Sequence, residues 1–357
     1  MKRFFECLVP VTACNLKCEY CYIIQQDRRK KKYASFEYDP VHIGKALSVN
    51  RLGGVSYISI CGSGETLLQK DLCDIVLQIL KQGHYVNITT NGTITKRFKQ
   101  IIKMCSPAYL ERLHFAFSFH YLELIRTNTI EIFFQNISMV RNAGCSFLVQ
   151  INLYDKYMPH WNNIKEIVKK HTGSLPQVAL TRNTYGKEIT ILTKRNQADY
   201  ISIGKQMDSP LFDFTVKNFM IKRKEFCYAG DWSGKLDLAT GILTGCYGAG
   251  IKQNIFKNID KAIKFEAIGK NCIHKYCINS SHFLSLGVIP TLKTPTYAHL
   301  RDRKDAGWYS SNFRDFLTRK LSDDNDEYSL IKKKYINIKV RCIESYRYIR
   351  SVIKHYF

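Results

Sequence analysis

The feature that most constrains the fold is a regular alternation of strand and helix patterns along the first half of the chain. The predicted strands cover residues 7–12, 55–61, 86–90, 112–119, 147–153 and 177–181. The predicted helices lie near residues 39–51, 68–82, 95–105, 127–143 and 160–171. This alternation predicts βα units with right-handed crossovers and a parallel sheet. Six units favour a partial or full α/β barrel over a flat doubly wound sheet, although periodicity alone does not separate the two.

The pattern changes beyond this region, and the changes set the predicted domain boundaries. Residues 191–226 are less regular and indicate a linker with one or two helices. Residues 227–290 combine glycines, cysteines and short alternating strands. Residues 291–357 form a basic tail with helical periodicity over most of its length. We therefore expect a large domain over residues 1–190, followed by a linker, a small second domain and a helical basic tail.

The cysteine content indicates metal or redox chemistry. No stretch is apolar over the 18 or so residues that a membrane span needs, so no transmembrane helix is expected. The basic N-terminus has a short apolar run that Glu6 interrupts, which argues against a signal peptide. A cytoplasmic location is therefore expected. In such a chain, 13 cysteines favour metal or redox use over disulfides.

The chain is strongly basic, with 54 Lys and Arg against 30 Asp and Glu, a formal net charge of +24. Such a surface attracts acidic partners, including nucleic acid, phosphorylated substrates, acidic peptides, anionic membranes and acidic electron carriers. Two basic runs stand out, at residues 28–32 and 332–334. No nucleic-acid-binding motif accompanies them, so nucleic acid is not favoured. The alternative is a solvated, lysine-rich surface without a partner.

Three cysteines follow the first predicted strand with the spacing C-x3-C-x2-C. They are Cys14, Cys18 and Cys21, in a loop at the carboxyl end of the strand, where α/β barrels place their chemistry. Three thiolates hold three irons of a [4Fe–4S] cube and leave the fourth iron open for a ligand. A zinc site is the alternative, although no Cys or His follows within the next ten residues to act as a fourth ligand.

This cysteine motif, with the aromatic Tyr20 before the third cysteine, resembles that of the radical S-adenosylmethionine (SAM) superfamily. The resemblance implies a partial (β/α)6 barrel whose open iron chelates the amino and carboxylate groups of SAM. It also implies reductive cleavage of SAM to a 5′-deoxyadenosyl radical, which abstracts a hydrogen atom from a substrate. The cofactor then carries the difficult chemistry, and the protein supplies position and exclusion of water.

A glycine-rich stretch after the second predicted strand supports the resemblance. Gly62, Gly64 and Glu65 correspond to the family's glycine–glycine–glutamate stretch, which binds the amino group of the methionine part of SAM. Thr66 stands where the family usually has proline. Glycine at a strand end also allows a ligand to approach the backbone closely.

Polar residues at the ends of later strands extend the expected SAM site. The turn at Asn91 and Gly92 resembles the family's Thr-Asn-Gly turn, although any protein uses such a turn. The resemblance assigns Ser118 to the ribose or carboxylate of SAM. Asn152 is suited to ribose hydroxyls, and Arg182, expected at the end of the sixth strand, to a carboxylate or phosphate.

Two further residues are candidates for a direct catalytic role. His120 follows the fourth strand and is a candidate substrate ligand or acid–base group, with an ordinary structural histidine as the alternative. Cys61 adjoins the expected SAM site and is a candidate hydrogen-atom donor, with a core cysteine as the alternative.

A second group of cysteines lies in residues 227–290. Cys227 and Cys246 flank a predicted hairpin at Gly241, and Cys272 and Cys277 follow. This spacing resembles the SPASM and twitch auxiliary domains of radical SAM enzymes, and the resemblance implies an auxiliary [4Fe–4S] cluster.

The shorter twitch type fits this group better, because no cysteine occurs between residues 277 and 342 for a further cluster. His274 is a candidate to replace one thiolate. A zinc site with four cysteine ligands is the alternative.

The function predicted from these motifs is hydrogen-atom abstraction by a radical SAM enzyme. Relatives of this layout modify peptides, oxidise a residue in sulfatases or dehydrogenate small molecules, and we favour a peptide or protein substrate. A sugar, nucleoside or other small molecule is the second candidate. A non-catalytic zinc protein that binds nucleic acid is the alternative of another class. Reductive cleavage also requires an electron donor, and the basic runs predict an acidic flavodoxin or ferredoxin.

Overall fold

The computed structural model describes residues 1–33, 35–186, 188–247, 249–270, 272–274, 276–277 and 279–356. The strands are β1 Arg3–Val9, β2 Ser56–Gly62, β3 Tyr85–Thr90, β4 Leu113–Ser118, β5 Ser146–Leu153, β6 Gln177–Leu180, β7 Arg182–Asn183, β8 Thr190–Ile191, β9 Ser233–Asp237, β10 Ile242–Thr244 and β11 Lys252–Asn254.

Sixteen α-helices lie among the described residues. They are α1 Tyr22–Gln25, α2 Pro40–Ala46, α3 Val49–Leu52, α4 Leu72–Lys81, α5 Thr95–Met104, α6 Pro107–Leu110, α7 Tyr121–Arg126, α8 Ile130–Asn142, α9 Trp161–Thr172, α10 Gln197–Lys205, α11 Pro210–Asn218, α12 Ser280–Phe283, α13 Tyr297–Arg301, α14 Ser311–Thr318, α15 Leu321–Asp324 and α16 Leu330–Tyr356. Short 3-10 helices cover Thr66–Leu68, Asp155–His160 and Lys304–Ala306.

The main sheet is mostly parallel and runs in the order β11-β10-β9-β1-β2-β3-β4-β5-β6. Strands β1 to β6 pair with their sequence neighbours in parallel. Strand β9 pairs in parallel with the other edge of β1, and β10 and β11 continue the sheet in antiparallel fashion. The predicted α/β class with a mostly parallel sheet is confirmed. The second cysteine region contributes strands to this sheet, which sequence patterns did not predict.

All six predicted strands are present, with shifts at their ends. Strand β1 begins at Arg3 and ends at Val9, because Phe4 and Phe5 are buried in the core and the chain leaves the sheet before the cysteine loop. Arg182 does not end β6. It begins the separate two-stranded sheet β7–β8, because Thr181 turns its hydroxyl back onto the carbonyl of Leu153 at 2.7 Å.

One of the predicted helices is interrupted, and another begins later than predicted. The stretch at 39–51 forms α2 and α3, with Ser48 in extended conformation between them. The stretch at 127–143 begins late, as α8, and the shorter α7 precedes it. Asn128 has a positive φ of 52°, and this left-handed conformation breaks the helical path between α7 and α8.

The helical spacing of apolar residues explains how the helices contribute to the core. In α4, the residues that repeat at helical spacing are buried, namely Leu72, Ile75, Val76, Ile79 and Leu80. Each fully buried aliphatic side chain of this kind contributes about 1.5–3 kcal/mol relative to an exposed one. The helix is therefore fixed on the sheet by one face.

The expected linker and part of the expected tail pack into the same body. Helix α11 lies against β6 and buries Leu211 and Phe212. Trp308 is fully buried, and its indole nitrogen donates to the carbonyl of Thr172 at 3.0 Å. These segments therefore pack beside β5 and β6 and cover that end of the sheet. In the described residues, no helix combines the length and apolar character of a membrane span.

Candidate functional site

A cavity of about 410 Å³ opens where the parallel strands end. Every residue that the sequence assigned to the first cluster, to SAM or to a catalytic role lines it, namely Cys14, Cys18, Tyr20, Cys21, Cys61, Gly62, Gly64, Glu65, Ser118, His120, Asn152 and Arg182. The carboxyl ends of parallel strands meet at one edge of the sheet, which brings these distant residues together.

The cysteine loop is fastened to the glycine loop by backbone hydrogen bonds. Gly64 N–H donates to the carbonyl of Val11 at 2.6 Å, and Glu65 N–H donates to that of Ala13 at 2.9 Å. A Cβ atom at position 64 would lie 2.0 Å from the carbonyl oxygen of Ala13. Glycine is therefore required at position 64 for the two loops to approach this closely.

The carboxylate of Glu65 is held by three donors. One oxygen accepts from the backbone of Leu67 at 2.9 Å and the hydroxyl of Thr90 at 2.7 Å, and the other accepts from the backbone of Asn91 at 2.7 Å. Burial raises the pKa of Glu65, and the three donors oppose that rise. The side chain is fixed in the wall of the cavity, where it is suited to accept a hydrogen bond from an ammonium group.

The turn after β3 contacts the cysteine loop directly. The Asn91 amide donates to the side chain of Asn15 at 2.8 Å and lies 3.9 Å from the sulfur of Cys14. Asn15 in turn donates to Thr93 at 2.8 Å. The Thr-Asn-Gly turn therefore positions the loop that carries the first cysteine. The sequence indicated this turn, but it did not indicate the contact to Asn15.

The three thiols of the first group are close enough to affect one another. Burial raises the pKa of Cys14 and of Cys18, repulsion from Cys21 raises both further, and repulsion from Cys14 adds to the rise at Cys18. Thiolates are the form of cysteine that binds iron. The positive charge of an iron–sulfur core would offset the repulsion between the three thiolates. The donor set, three thiols on one loop facing one cavity, fits a cube with one open iron.

Tyr20 and His120 form part of a buried hydrogen-bonded group. The Tyr20 hydroxyl lies 2.6 Å from Nδ1 of His120 and 3.0 Å from the hydroxyl of Tyr157. Burial lowers the pKa of His120 to about 4, so the imidazole is neutral near pH 7. The histidine thus supports the aromatic residue of the cysteine motif, and its catalytic role stays a prediction.

Cys61 lies at the end of β2 and faces the cavity. Burial, assisted by repulsion from Glu6, raises its thiol pKa well above the ordinary value. The thiol is therefore protonated near neutral pH, which is the form that a hydrogen-atom donor requires. That role also stays a prediction.

The second cysteine group is assembled from several segments. Cys227 exchanges two backbone hydrogen bonds with Gly269, at 3.1 and 3.0 Å, and Cys246 follows β10. The predicted hairpin turns at Gly241, with a positive φ of 74° and the Phe256 ring close to its Cα. This turn therefore requires glycine.

The four thiols of the second group also influence one another. Burial raises the pKa of Cys277 to about 11 and that of Cys227 to about 12, and repulsion from Cys272 adds to both. Cys272 is exposed. His274 directs Nε2 at the carbonyl of Tyr247, 2.7 Å away, which occupies that nitrogen. In the described part of the chain, no group of three or more His, Cys, Asp or Glu side chains is arranged around a single metal ion.

A buried polar contact joins the two cysteine regions, and sequence reasoning missed it. The Glu6 carboxylate in β1 accepts from the hydroxyl of Tyr247 and from the amide of Asn279, the latter at 2.6 Å. All three side chains line the cavity. The sequence signal that could have revealed the contact is an acidic residue within an apolar strand. A buried carboxylate of this kind needs hydrogen-bond partners.

Part of the chain matches the model of a known protein family. Residues 8–169 match the model of the Radical SAM superfamily. Among curated proteins, a probable GTP 3′,8-cyclase of Pyrobaculum aerophilum is 38% identical over 85 residues, 24% of this chain and 26% of that protein. A probable GTP 3′,8-cyclase of Methanocaldococcus jannaschii is 33% identical over 91 residues, 25% and 29% of the two chains. The chain thus spans about a quarter of the length of these curated relatives.

Solved structures share the fold over a larger part of the chain. Streptococcus suis SuiB bound to S-adenosylmethionine has a TM-score of 0.51 at 15% identity, covering 72% of this chain and 64% of SuiB. SuiB bound to its precursor peptide SuiA gives 0.50 at 16% identity, covering 72% and 63%. Native anSMEcpe with bound AdoMet gives 0.52 at 14% identity, covering 98% and 99%. At these identities the similarity establishes the fold alone.

Proposed function

We propose that this chain is a radical SAM enzyme that modifies a peptide or protein by hydrogen-atom abstraction, and the match of residues 8–169 to the model of that superfamily supports the class. The observation that carries the proposal is the convergence of the cysteine motif and the glycine–glutamate loop on one cavity, joined by the Val11–Gly64 and Ala13–Glu65 hydrogen bonds. These contacts position the ligands of a cluster beside the groups expected to bind SAM.

The residues are assigned to their ligands as the motifs indicate. Cys14, Cys18 and Cys21 would hold a [4Fe–4S] cluster, and Glu65 would accept a hydrogen bond from the ammonium group of SAM. The remaining wall positions assigned to SAM are Tyr20, Gly62, Gly64, Ser118, Asn152 and Arg182. The chemistry that these groups supply when bound is reductive cleavage of SAM to a 5′-deoxyadenosyl radical. The protein orients the ligand and limits the access of water to the cavity.

We assign the second cysteine group to an auxiliary [4Fe–4S] cluster in a twitch-like domain, held by Cys227, Cys246, Cys272 and Cys277. The mutual repulsion of these thiols and the hairpin at Gly241 support the assignment. We likewise interpret the six consecutive parallel strands β1 to β6 as a partial (β/α)6 barrel.

A peptide substrate is supported by the fold shared with SuiB, which binds the precursor peptide SuiA in one structure. A small-molecule substrate, such as a sugar or nucleoside, is the second candidate. The probable GTP 3′,8-cyclases among the curated relatives favour it, over about a quarter of the chain. Addition of candidate precursor peptides or of nucleotides, followed by mass spectrometry, separates the two. The substrate should increase deoxyadenosine formation and gain a changed mass.

An acidic flavodoxin or ferredoxin is the proposed electron donor, in the cytoplasm. The basic run at 28–32 supports this, because it lies against the cysteine loop. The Arg29 guanidinium donates to the carbonyl of Cys14 at 2.7 Å, and the carbonyl of Lys32 accepts from the backbone of Thr12 and Ala13. Exposed cations at this position attract an acidic carrier to the cluster.

Anaerobic purification and cluster reconstitution test the proposal. About eight irons per chain, four at each cysteine group, are expected, with deoxyadenosine formed on addition of SAM and dithionite. Zinc in place of iron, with no deoxyadenosine, would instead establish the non-catalytic alternative and direct attention to nucleic-acid binding.

A further inference from the structure

Helix α16 is attached to the rest of the chain by one side near its start. It has 27 residues and is therefore about 40 Å long. Ile336 is buried against Gly269, and the side chain of Asn337 accepts from the backbone of Lys270 at 2.9 Å. An ion pair between Lys339 and Glu266 adds to the attachment.

The opposite side of α16 carries an exposed apolar stripe. Its members are Ile331, Tyr335, Ile338, Tyr346 and Ile349, which are 82%, 60%, 66%, 64% and 55% exposed. At about 100° of rotation per residue, these five positions fall within an arc of roughly 80°. Scattered exposed apolar residues are ordinary, but five on one face within five turns of a single helix indicate an interaction surface.

Cations border this stripe. Helix α16 contains eight Lys and Arg residues and one acidic residue, Glu344. Ion pairs engage Lys333 with Glu327 and Lys339 with Glu266. Lys332 and Lys334 are exposed, and helical geometry places them on either side of the apolar stripe.

The charge decides which occupant fits the stripe. A second copy of the chain would bring its own α16 against this one, and the two strongly basic helices would repel each other. An anionic bilayer complements both features, since apolar side chains enter the headgroup boundary and Lys and Arg contact the phosphates.

We propose that α16 is a membrane-surface helix that lies flat on anionic phospholipid, with the five-residue stripe inserted. The inference rests on α16 alone and holds whatever the enzyme acts on. It accounts for apolar side chains that the rest of the described chain leaves uncovered.

The test is sedimentation of the full-length protein with liposomes at about 0.1 M NaCl. Binding to vesicles of phosphatidylcholine with about a third phosphatidylglycerol should exceed binding to pure phosphatidylcholine by at least about tenfold. The variant Ile331→Ser/Ile338→Ser/Ile349→Ser should lose at least about tenfold in binding. The matched control Ile125→Ser/Ile132→Ser/Ile221→Ser removes exposed isoleucines elsewhere and should bind as the parent does.

Three outcomes would overturn the proposal. The first is equal binding, or none, on both vesicle types. The second is full binding by the stripe variant with an unchanged circular dichroism spectrum, which would leave charge alone as the cause. The third is a dimer in light scattering that the stripe variant converts to monomer, which would assign the stripe to a second copy. All stripe residues are exposed, so the variant is expected to fold.

Discussion

The two cysteine groups differ in how their surroundings hold them. The first group occupies one short loop, and its surroundings come from successive strand ends, so Gly64, Glu65 and Asn91 are fixed to the loop by hydrogen bonds. The cysteines of the second group lie on separate segments. Cys227 is held by backbone hydrogen bonds to Gly269, whereas Cys272 is exposed.

This difference indicates that the first cysteine group is held rigidly and that the second tolerates change. Short-range spacing and a rigid sheet preorganise the first group, which is what a reacting centre requires. The second group depends on loops that meet from a distance in sequence, and such loops tolerate variation better. We therefore expect changes in the first group to abolish chemistry, and changes in the second to alter iron content and substrate turnover.

The largest effect is expected from Cys18→Ala. Loss of one of the three proposed ligands should remove about four irons and lower deoxyadenosine formation at least a hundredfold, because a cube with one open iron needs all three thiolates of the loop. Iron analysis and chromatography of the nucleoside measure both. Cys342→Ala, at an exposed cysteine of α16, serves as the control and should change neither. Unchanged cleavage in Cys18→Ala would contradict the assignment.

The reciprocal change, Cys227→Ala, should also remove about four irons but spare the first group. Deoxyadenosine formation without substrate should stay within about threefold, while conversion of substrate falls at least about tenfold. Loss of SAM cleavage equal to that of Cys18→Ala would show that the two groups form one functional unit. It would contradict the separate roles expected for them.

Gly64→Ala tests the rigidity of the first region. The added methyl group would collide with the carbonyl of Ala13, which should cost about 2 kcal/mol of unfolding free energy and weaken SAM binding at least about tenfold. Chemical denaturation and SAM titration measure these. Gly186→Ala is the matched control, because among the described residues, its chain neighbours aside, nothing lies within 4 Å of the added methyl group, and it should change stability by less than about 0.5 kcal/mol.

The smallest effect is expected from Tyr247→Phe, which removes a donor to Glu6 at the contact between the regions. Burial raises the pKa of Glu6, so its contribution to stability is complete below the unfolded-state pKa and is lost as the pH rises through the folded-state value. Without the tyrosine donor this pKa rises further and the loss grows. The variant should therefore be about 1 kcal/mol less stable at about pH 8 and less affected near pH 5.

Urea denaturation at the two pH values measures this difference. Tyr185→Phe changes an exposed tyrosine and should behave as the parent at both. An equal deficit at both pH values would mean that Tyr247 acts by packing and not through Glu6.

Much of the fold followed from local sequence, because a strand or helix depends on nearby residues. The six strands and the hairpin at Gly241 lie close to their predicted positions. The pairing of β9 with β1 could not be predicted, since hydrogen bonds between strands so far apart in the sequence produce no local sequence pattern. The packing of Trp308 onto Thr172 is another long-range contact of this kind.

The candidate site was predictable where motifs carry the chemistry. All the residues assigned to the first site line one cavity, because they lie near or after the carboxyl ends of the parallel strands. The contact of Glu6 with Tyr247 and Asn279 was not predictable, because it depends on the orientation of the second region against the first. Arg182 was placed at the end of a strand, but a one-residue break moved it to a separate sheet.

The parallel pairing of β1 with β9 also has a consequence for synthesis. Phe4 and Phe5 are synthesised roughly 230 residues before their neighbours in β9, Ser233 and Gly234. At about 5–20 residues per second, one edge of this apolar strand stays open for roughly 10–50 s. An open edge recruits other strands, so nascent chains stalled before β9 should be the species that aggregates. The yield of folded protein would then depend on translation speed and on chaperones that cover β1.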